Sequence, residues 1–459
     1  MISERKRYHF VGIAGAGMSG LAAVMLAGGS RVSGSDLREN AQTQYLKRAG
    51  AAIHIGHDPA VVDESVDQVI VSSAIAPENV EIEAARRLKL PVVHRLHALA
   101  GVIDGYTSIG VAGTHGKTTT TAMTATILRN TGRDPSYLVG AHCPGLGGNS
   151  HLGAGEVFVT EVDESDGLFL AIHPTIAVLN NIGRDHLGTY HTLEAIKDSF
   201  KQYVLQAEHS VLAIDDANVR ELAEGLPSAL TVGAHIDSDL RAVNILHYHF
   251  HSTFDLRYRG KDVAHVFLPA PGDHNVRNAL CAIGAASLAG VPIADAAEAI
   301  ADFQLPERRF QLLEENGVTV VDDYAHLPEE IEVTLQAIRS GWTNRRIVAV
   351  FQPHRYTRTQ AIGSDFGAAF QLADTIVVTP IYPAYERPIP GVTSQRIVDS
   401  ISRNTGNDPL LIHDKEGVLS FLKSYIEPGD FIISFGAGDI WTVTTSLSRF
   451  LEEGSFCAA

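Results

Sequence analysis

The run Gly113-Thr-His-Gly-Lys-Thr-Thr-Thr-Thr121 constrains the fold of this chain more than any other feature. It lies between an apolar stretch, Ser108–Ala112, and a Thr/Ala-rich stretch of helical composition. A loop that opens a helix directly after a strand turns its backbone N–H groups and the helix N-terminus toward one point, which makes an anion site. Lys117 is then placed to reach outer phosphates as a point charge, and the Thr118 hydroxyl to hold Mg²⁺. The strict nucleotide-loop spacing is not met, because its first glycine would fall at Val111. The bland alternative is a glycine-containing turn with an exposed lysine. It is outweighed because Gly-Lys-Thr at a strand–helix junction has a specific chemical use.

Around this loop the chain alternates short apolar runs with amphipathic stretches, the pattern of βαβ units and a parallel sheet. Tyr8–Ile13, Arg31–Gly34 and Gln68–Ser72 read as strands, with helices over Met18–Ala27 and Asn40–Ala49. The pattern restarts near Asp104–Tyr106 and continues with strands Ser108–Ala112, Val157–Thr160, Thr175–Asn180 and Ser210–Ile214. A β-rich stretch, Arg241–Phe267, and a helix, Asn275–Ala289, follow. From Pro306 onward come strands Val318–Val321, Arg346–Phe351, Thr375–Thr379 and Phe431–Phe435. At roughly 100–200 residues per domain, 459 residues make about three domains. The restarts set their boundaries at 1–104, 105–305 and 306–459, all α/β.

Composition excludes several classes. Asp and Glu outnumber Lys and Arg by 53 to 36, which argues against a nucleic-acid partner and its need for a basic face. Cys143, Cys281 and Cys457 are too few and too scattered for a disulfide framework or zinc cluster. They read as reduced and structural. Arg5, Lys6 and Arg7 ahead of the uncharged run Phe10–Gly29 resemble a secretory signal, but six glycines interrupt the run. No other stretch is long and apolar enough to span a bilayer, so a cytoplasmic protein is expected.

Those glycines follow a pattern of their own. Gly15, Gly17 and Gly20 come after a strand, with Asp36 after the next strand, the fingerprint of a diphosphate-binding turn. Alone it cannot separate a dinucleotide from a nucleotide-sugar, and Asp36 could take a ribose hydroxyl or cap the next helix. Glu161 ends a strand and is followed by Asp163, Glu164 and Asp166. Ligands of open α/β sheets bind beyond strand carboxyl ends, and carboxylates there suit a hard cation with nucleotide phosphates; a solvated acidic loop is the alternative. Asn180, Asn181, Asp185 and His186 follow the next strand likewise. In the third segment, Asp322-Asp-Tyr-Ala-His326 and Phe351-Gln-Pro-His-Arg-Tyr-Thr-Arg358 each follow a strand, and Arg308 and Arg309 stand at the junction. Arginines and a histidine at a strand end can hold a carboxylate or phosphate, since guanidinium forks match those anions.

Taken in order, GIAGAGMSG with SGSD, GTHGKTTTT, EVDESDG, NNIGRDH, GDHNVRNA, RRF, DDYAH, FQPHRYTRT and GAGDIW give the chain a resemblance to the Mur ligase family over essentially its whole length. The resemblance implies a Rossmann-like domain for the UDP part of the substrate, a central P-loop ATPase-like domain, and a C-terminal Rossmann-like domain for the incoming amino acid. It implies an ATP- and Mg²⁺-dependent carboxylate–amine ligation that joins L-alanine to UDP-N-acetylmuramate through an acyl phosphate, as part of peptidoglycan precursor synthesis. By resemblance, Gly15, Gly17, Met18, Ser19, Gly20 and Asp36 meet the UDP-sugar. Gly113, Thr114, His115, Gly116, Lys117, Thr118 and Thr119 hold ATP, with Asn275 and Asn278 near the adenine. Thr118 and Glu161 contact Mg²⁺, and His186 lies at a second metal position. Arg309 and Asp323 reach toward the nucleotide, whereas His326, His354, Arg355 and Arg358 meet the amino acid and substrate anions. Lys117, Glu161, His186, Arg309 and Asp323 form the implied catalytic set. The partners implied are two small molecules, with a monomer or homodimer and neither membrane nor nucleic acid.

The chain departs from the family pattern in places. DDYAH continues as Leu327, Pro328 and Glu329 where a second histidine and a threonine are usual on either side of the proline. Gly183 and Arg184 replace an acidic residue and a proline, Tyr385 replaces a glycine, and His97 replaces a glutamate. Three other readings compete. A related ligase attaches a recycled peptide to the same UDP-sugar, but it carries Tyr-Asp-Thr where this chain has Ser165-Asp-Gly167. An inactive UDP-sugar sensor would tolerate loss of Lys117, Glu161 or His186, and all three are present. A dehydrogenase would leave the Lys117 loop without a use.

Overall fold

The structure, a computed structural model, describes residues 6–226, 228–315 and 317–453, the side chain of Leu187 excepted. Arg5 and Cys457 lie outside the described residues. The chain divides into two compact units. The larger comprises Met1–Ile245, Thr253–Leu268 and Asn275–Gln304, and the smaller comprises Leu246–Ser252, Pro269–His274 and Leu305–Ala459.

The first sheet of the larger unit has five strands in the order Ala52–Ile55, Arg31–Asp36, Arg7–Val11, Gln68–Val71 and Val92–His94, all parallel. Phe10 and Val11 are buried in its central strand, as expected of a parallel strand covered on both faces. The chain leaves that strand through Gly12, whose φ of +80° suits glycine, and enters the helix Ala16–Ala27.

The second sheet has ten strands and is built on Thr107–Ala112, which runs parallel to Ile176–Leu179 on one side and Val157–Glu161 on the other. Their middles are apolar and buried. Their carboxyl ends therefore line up and bring Gly113, Glu161 and Asn180 to one edge. Ser136–Cys143 and Gly148–His151 extend the sheet on one side. On the other side come His209–Ala213, Leu230–Gly233 and three longer strands, Leu240–Tyr248, His251–Tyr258 and Lys261–Leu268, which match the expected β-rich stretch.

In the smaller unit, six strands run in the order Gln311–Glu315, Thr319–Asp323, Phe431–Phe435, Ile347–Phe351, Thr375–Val378 and Leu410–Leu411. Only the first of these pairs antiparallel. An aromatic cluster anchors one face: Trp342 packs edge-on against Phe250 and Phe431, with Phe310 beside it. Fused rings bury large areas and prefer such edge contacts.

One open reading is settled by the helix Ala41–Arg48. Asn40 caps it, its side chain accepting from the Thr43 N–H at 3.0 Å. Asp36 is therefore not the cap. Its carboxylate accepts from the Ala14 N–H at 2.9 Å and so fixes the glycine turn.

Candidate active site

The phosphate loop sits between the strand Thr107–Ala112 and the helix Lys117–Asn130. Gly113 and Gly116 have φ of +129° and +81°, a backbone that disfavours side chains. Space forbids one as well: a Cβ on Gly116 would stand 2.4 Å from Asn278 Oδ1. The loop is braced from behind by amides. Asn181 Oδ1 accepts from the His115 N–H at 2.7 Å, while Asn181 Nδ2 donates to the His115 carbonyl. Buried Asn180 donates to Thr120 Oγ1 at 2.9 Å and to Asn278 Oδ1 at 3.4 Å, and Asn278 donates on to Asn275. The Gly183 N–H donates to Thr114 Oγ1 at 2.7 Å. The NNIG run thus sets the loop's shape, and Asn275 and Asn278 stand behind it as buried supports. Thr119 is buried in the first helical turn.

Lys117 is folded back onto the loop, donating to the Gly113 carbonyl at 2.6 Å and pairing with Glu164 at 2.9 Å. Burial alone would favour the neutral amine, but Glu164, Asp163 and Glu161 outweigh it and hold Lys117 above its ordinary value. Burial pushes Glu164 up to about 7, against the pull of Lys117. The pair is best described as a charged lysine beside a carboxyl group that is easily protonated.

The Thr118 hydroxyl donates to Glu161 Oε2 at 2.9 Å, and the Gly140 N–H donates to the same oxygen. A hydroxyl and a carboxylate are hard oxygen donors that suit Mg²⁺, which usually takes one or two carboxylates and completes its shell with water and phosphate. Among the described residues, no group of three or more His, Cys, Asp or Glu side chains could hold a metal ion unaided. His186, at φ +54°, pairs with its neighbour Asp185 at 3.2 Å. The residues present therefore fit an ion that arrives with its nucleotide. His186, expected at a second metal position, belongs to no such group of three among the described residues.

The acidic run divides its labour in a way its sequence does not reveal. Asp163 pairs with Arg95 at 2.9 Å, and Asp166 binds Ser73 Oγ at 2.6 Å and His94 at 3.2 Å. Neither belongs to the metal pair, and both tie the second sheet of this unit to the first. In the glycine turn, Gly15 caps the helix, Met18 and Ser19 are buried, and a Cβ on Gly17 would lie 3.3 Å from Arg95 Nη1. A Cβ on Gly20 would lie 3.1 Å from Leu138 of the second sheet.

The smaller unit gathers the third set of residues. Arg308 spans Asp322 at 2.9 Å and the carbonyls of Gly436 and Gly438 at 2.6 and 3.1 Å. Arg309 stacks over Tyr324 at 4.9 Å. Asp323, expected to reach toward the nucleotide, is buried, and its two oxygens accept from the Phe310 and Ala325 N–H groups at 2.7 Å each. In this geometry it orders the backbone around Arg309. His354 stacks on Tyr382 and meets His326 edge-on at 5.8 Å, with Arg358 at 3.1 Å from its Nδ1. Burial first, and then the neighbouring His326, Arg358, Arg355 and Arg308, push His354 down to about 3, so it is neutral near pH 7. Arg355, at φ +72°, opens the next helix. The cluster is cationic and suits a carboxylate. Leu327, where a second histidine is usual, is buried in the apolar core.

Sequence reasoning missed Arg95, Glu164 as the partner of Lys117, and the bracing role of Asn180 and Asn181. The asparagines were visible as a pair following a strand. Arg95 carried no local signal, because its two neighbours come from distant loops.

Comparison with known proteins bears on this geometry. Residues 7–107 match the model of the Mur ligase family, catalytic domain; residues 111–286 match the Mur ligase middle domain; and residues 308–438 match the Mur ligase, glutamate ligase domain. The UDP-N-acetylmuramate–L-alanine ligase of Pelobacter propionicus is 41% identical over 99% of this chain and 100% of its own length. That of Pelotomaculum thermopropionicum is 40% identical over 98% and 99%. Among solved structures, UDP-N-acetylmuramate–alanine ligase from Thermotoga maritima superposes with a TM-score of 0.82 at 29% identity, over 98% of this chain and 99% of that one. A murein peptide ligase from Psychrobacter arcticus gives 0.70 at 25% identity, over 99% and 100%.

Proposed function

This chain belongs to the Mur ligase family, and we propose that it joins L-alanine to the carboxylate of UDP-N-acetylmuramate with cleavage of ATP, in peptidoglycan precursor synthesis. The observation that carries the reading is the braced phosphate loop, with a charged, part-buried Lys117 beside the Thr118–Glu161 pair, in a chain alike over nearly its whole length to ligases of that name.

A free carboxylate is a poor acylating agent, so its phosphorylation supplies the leaving group that the amine of alanine later displaces. Lys117 leaves Glu164 for the transferring phosphoryl group and neutralises charge there. Thr118 and Glu161 would hold Mg²⁺, which adds charge neutralisation on the phosphates when bound; His186 is a further candidate ligand. The glycine turn, from Gly15 to Gly20 with Asp36 behind it, takes the UDP-sugar. His326, neutral His354, Arg355 and Arg358 form the alanine site, with a guanidinium fork for its carboxylate. Arg309 and Asp323 act as a pair, the aspartate positioning the arginine's segment. With ATP as a substrate and no helix long and apolar enough to cross a membrane among the described residues, the cytoplasm is the compartment we assign.

The test is direct. The protein is incubated with ATP, Mg²⁺, UDP-N-acetylmuramate and single amino acids, and phosphate release and product mass are followed. Alanine-dependent phosphate and a product heavier by one alanyl residue are expected. Inert alanine, with efficient ligation of a peptide beginning with alanine, would replace this reading by that of a peptide ligase.

A further inference from the structure

Arg95 and His94 open the helix Arg95–Ile103. Both bind the acidic loop: Arg95 Nη2 pairs with Asp163 at 2.9 Å, and His94 Nε2 with Asp166 at 3.2 Å. Glu164, which holds Lys117, lies between those two acids in sequence. The other guanidinium nitrogen, Nη1, lies 3.3 Å from the place a Cβ on Gly17 would occupy. The Arg95 guanidinium therefore touches the glycine turn on one side and the loop that restrains Lys117 on the other. Asp163 is half-buried.

We propose that Arg95 is a diphosphate-binding residue shared between the two sites, held by Asp163 until the UDP-sugar arrives. This rests on the reading that the glycine turn takes the UDP diphosphate. A guanidinium beside a helix N-terminus adds a two-pronged donor to the backbone N–H groups there. A diphosphate carries more charge than one carboxylate and competes for the same fork. Asp163 is then an internal competitor that lowers affinity for the UDP-sugar, and it links occupancy of that site to the loop around Lys117.

The experiment is calorimetric titration of UDP-N-acetylmuramate into the full chain and three variants: Arg95→Met, Asp163→Asn and the double variant. Arg95→Met should weaken binding by tenfold or more. Asp163→Asn should tighten it by about threefold or more, because the guanidinium is released. In the double variant the asparagine should have no effect beyond twofold of Arg95→Met alone, since coupled residues do not add. Two opposite effects cannot both come from damaged folding, and Arg95→Lys, which keeps the charge without the fork, should fall between wild type and Arg95→Met. The proposal is overturned if Arg95→Met binds within twofold of wild type, or if Asp163→Asn tightens binding equally with and without Arg95. Absence of UDP-N-acetylmuramate binding to the wild-type protein would instead remove the functional reading on which it stands.

Discussion

Lys117 has two sets of partners in prospect, its own loop with Glu164 and the phosphates of a nucleotide. Three carboxylates keep it charged, and two loop carbonyls and Glu164 keep it in place. On the proposed reading, an arriving triphosphate replaces those contacts without needing to protonate or reposition a distant group. Lys117→Ala should therefore lower kcat by roughly 10³-fold or more, the scale of a lost charge clamp on phosphoryl transfer. Activity within tenfold of wild type would refute the role. Asp323 gives a second prediction, on stability. Burial raises it to about 6 from 3.8, so the folded state holds its proton over a pH range where the unfolded chain has released it. The folded form thus binds more protons, and stability falls as pH rises from about 4 to 6. Denaturant unfolding of wild type and Asp323→Asn across that range should show a difference that shrinks with rising pH, by on the order of 2–3 kcal/mol. A pH-independent difference would mean that the carboxyl group does not titrate in that window.

At the scale of elements, the phosphate loop is a strand–turn–helix that tolerates nothing larger than glycine at Gly116. Gly116→Ala must overcome a positive φ and a Cβ contact of 2.4 Å with Asn278. It should raise the KM for ATP at least tenfold, while Gly132→Ala, also at positive φ but with open space around it, should leave ATP kinetics unchanged. Equal effects of the two would show that backbone strain alone matters. The same elements show what the sequence makes legible. Buried apolar runs such as Ile347–Phe351, and Phe431–Phe435 with Ser434 as its one polar residue, stand out, because strands buried on both faces read as nearly continuous apolar runs. Ala52–Ile55, Val92–His94 and Leu410–Leu411 escaped notice: they are short, sit at or next to sheet edges and are half exposed, so they carry no such run. The site divides in the same way. Its loop residues are contiguous and readable, whereas Arg95, Glu164 and Asn278 act through tertiary neighbours that no spacing rule encodes.

For the whole molecule, each of the two units has its own sheets and core. The larger keeps the phosphate loop, Glu161, Asn180 and Asn278 together. The smaller has a separate core built on Trp342, Phe310, Phe431 and Phe351. Chains of this kind depart from all-or-none unfolding, and scanning calorimetry should resolve two transitions. A ligand that binds one unit stabilises that unit by RT ln(1 + [L]/Kd), about 2.7 kcal/mol at a hundredfold excess over Kd. At roughly 2–4 °C per kcal/mol for a domain of some 150–250 residues, a non-hydrolysable ATP analogue with Mg²⁺ should raise the transition of the larger unit by about 5 °C. The other transition should stay in place, and Lys117→Ala should abolish the shift. The Asp323→Asn substitution should act in the opposite way, moving only the transition of the smaller unit, because both of its backbone partners, Phe310 and Ala325, belong there. A single transition that moves as a whole with nucleotide would mean that the two cores unfold as one cooperative body, and the assignment of the nucleotide's contacts to the larger unit would then need to be established by binding to the variants alone.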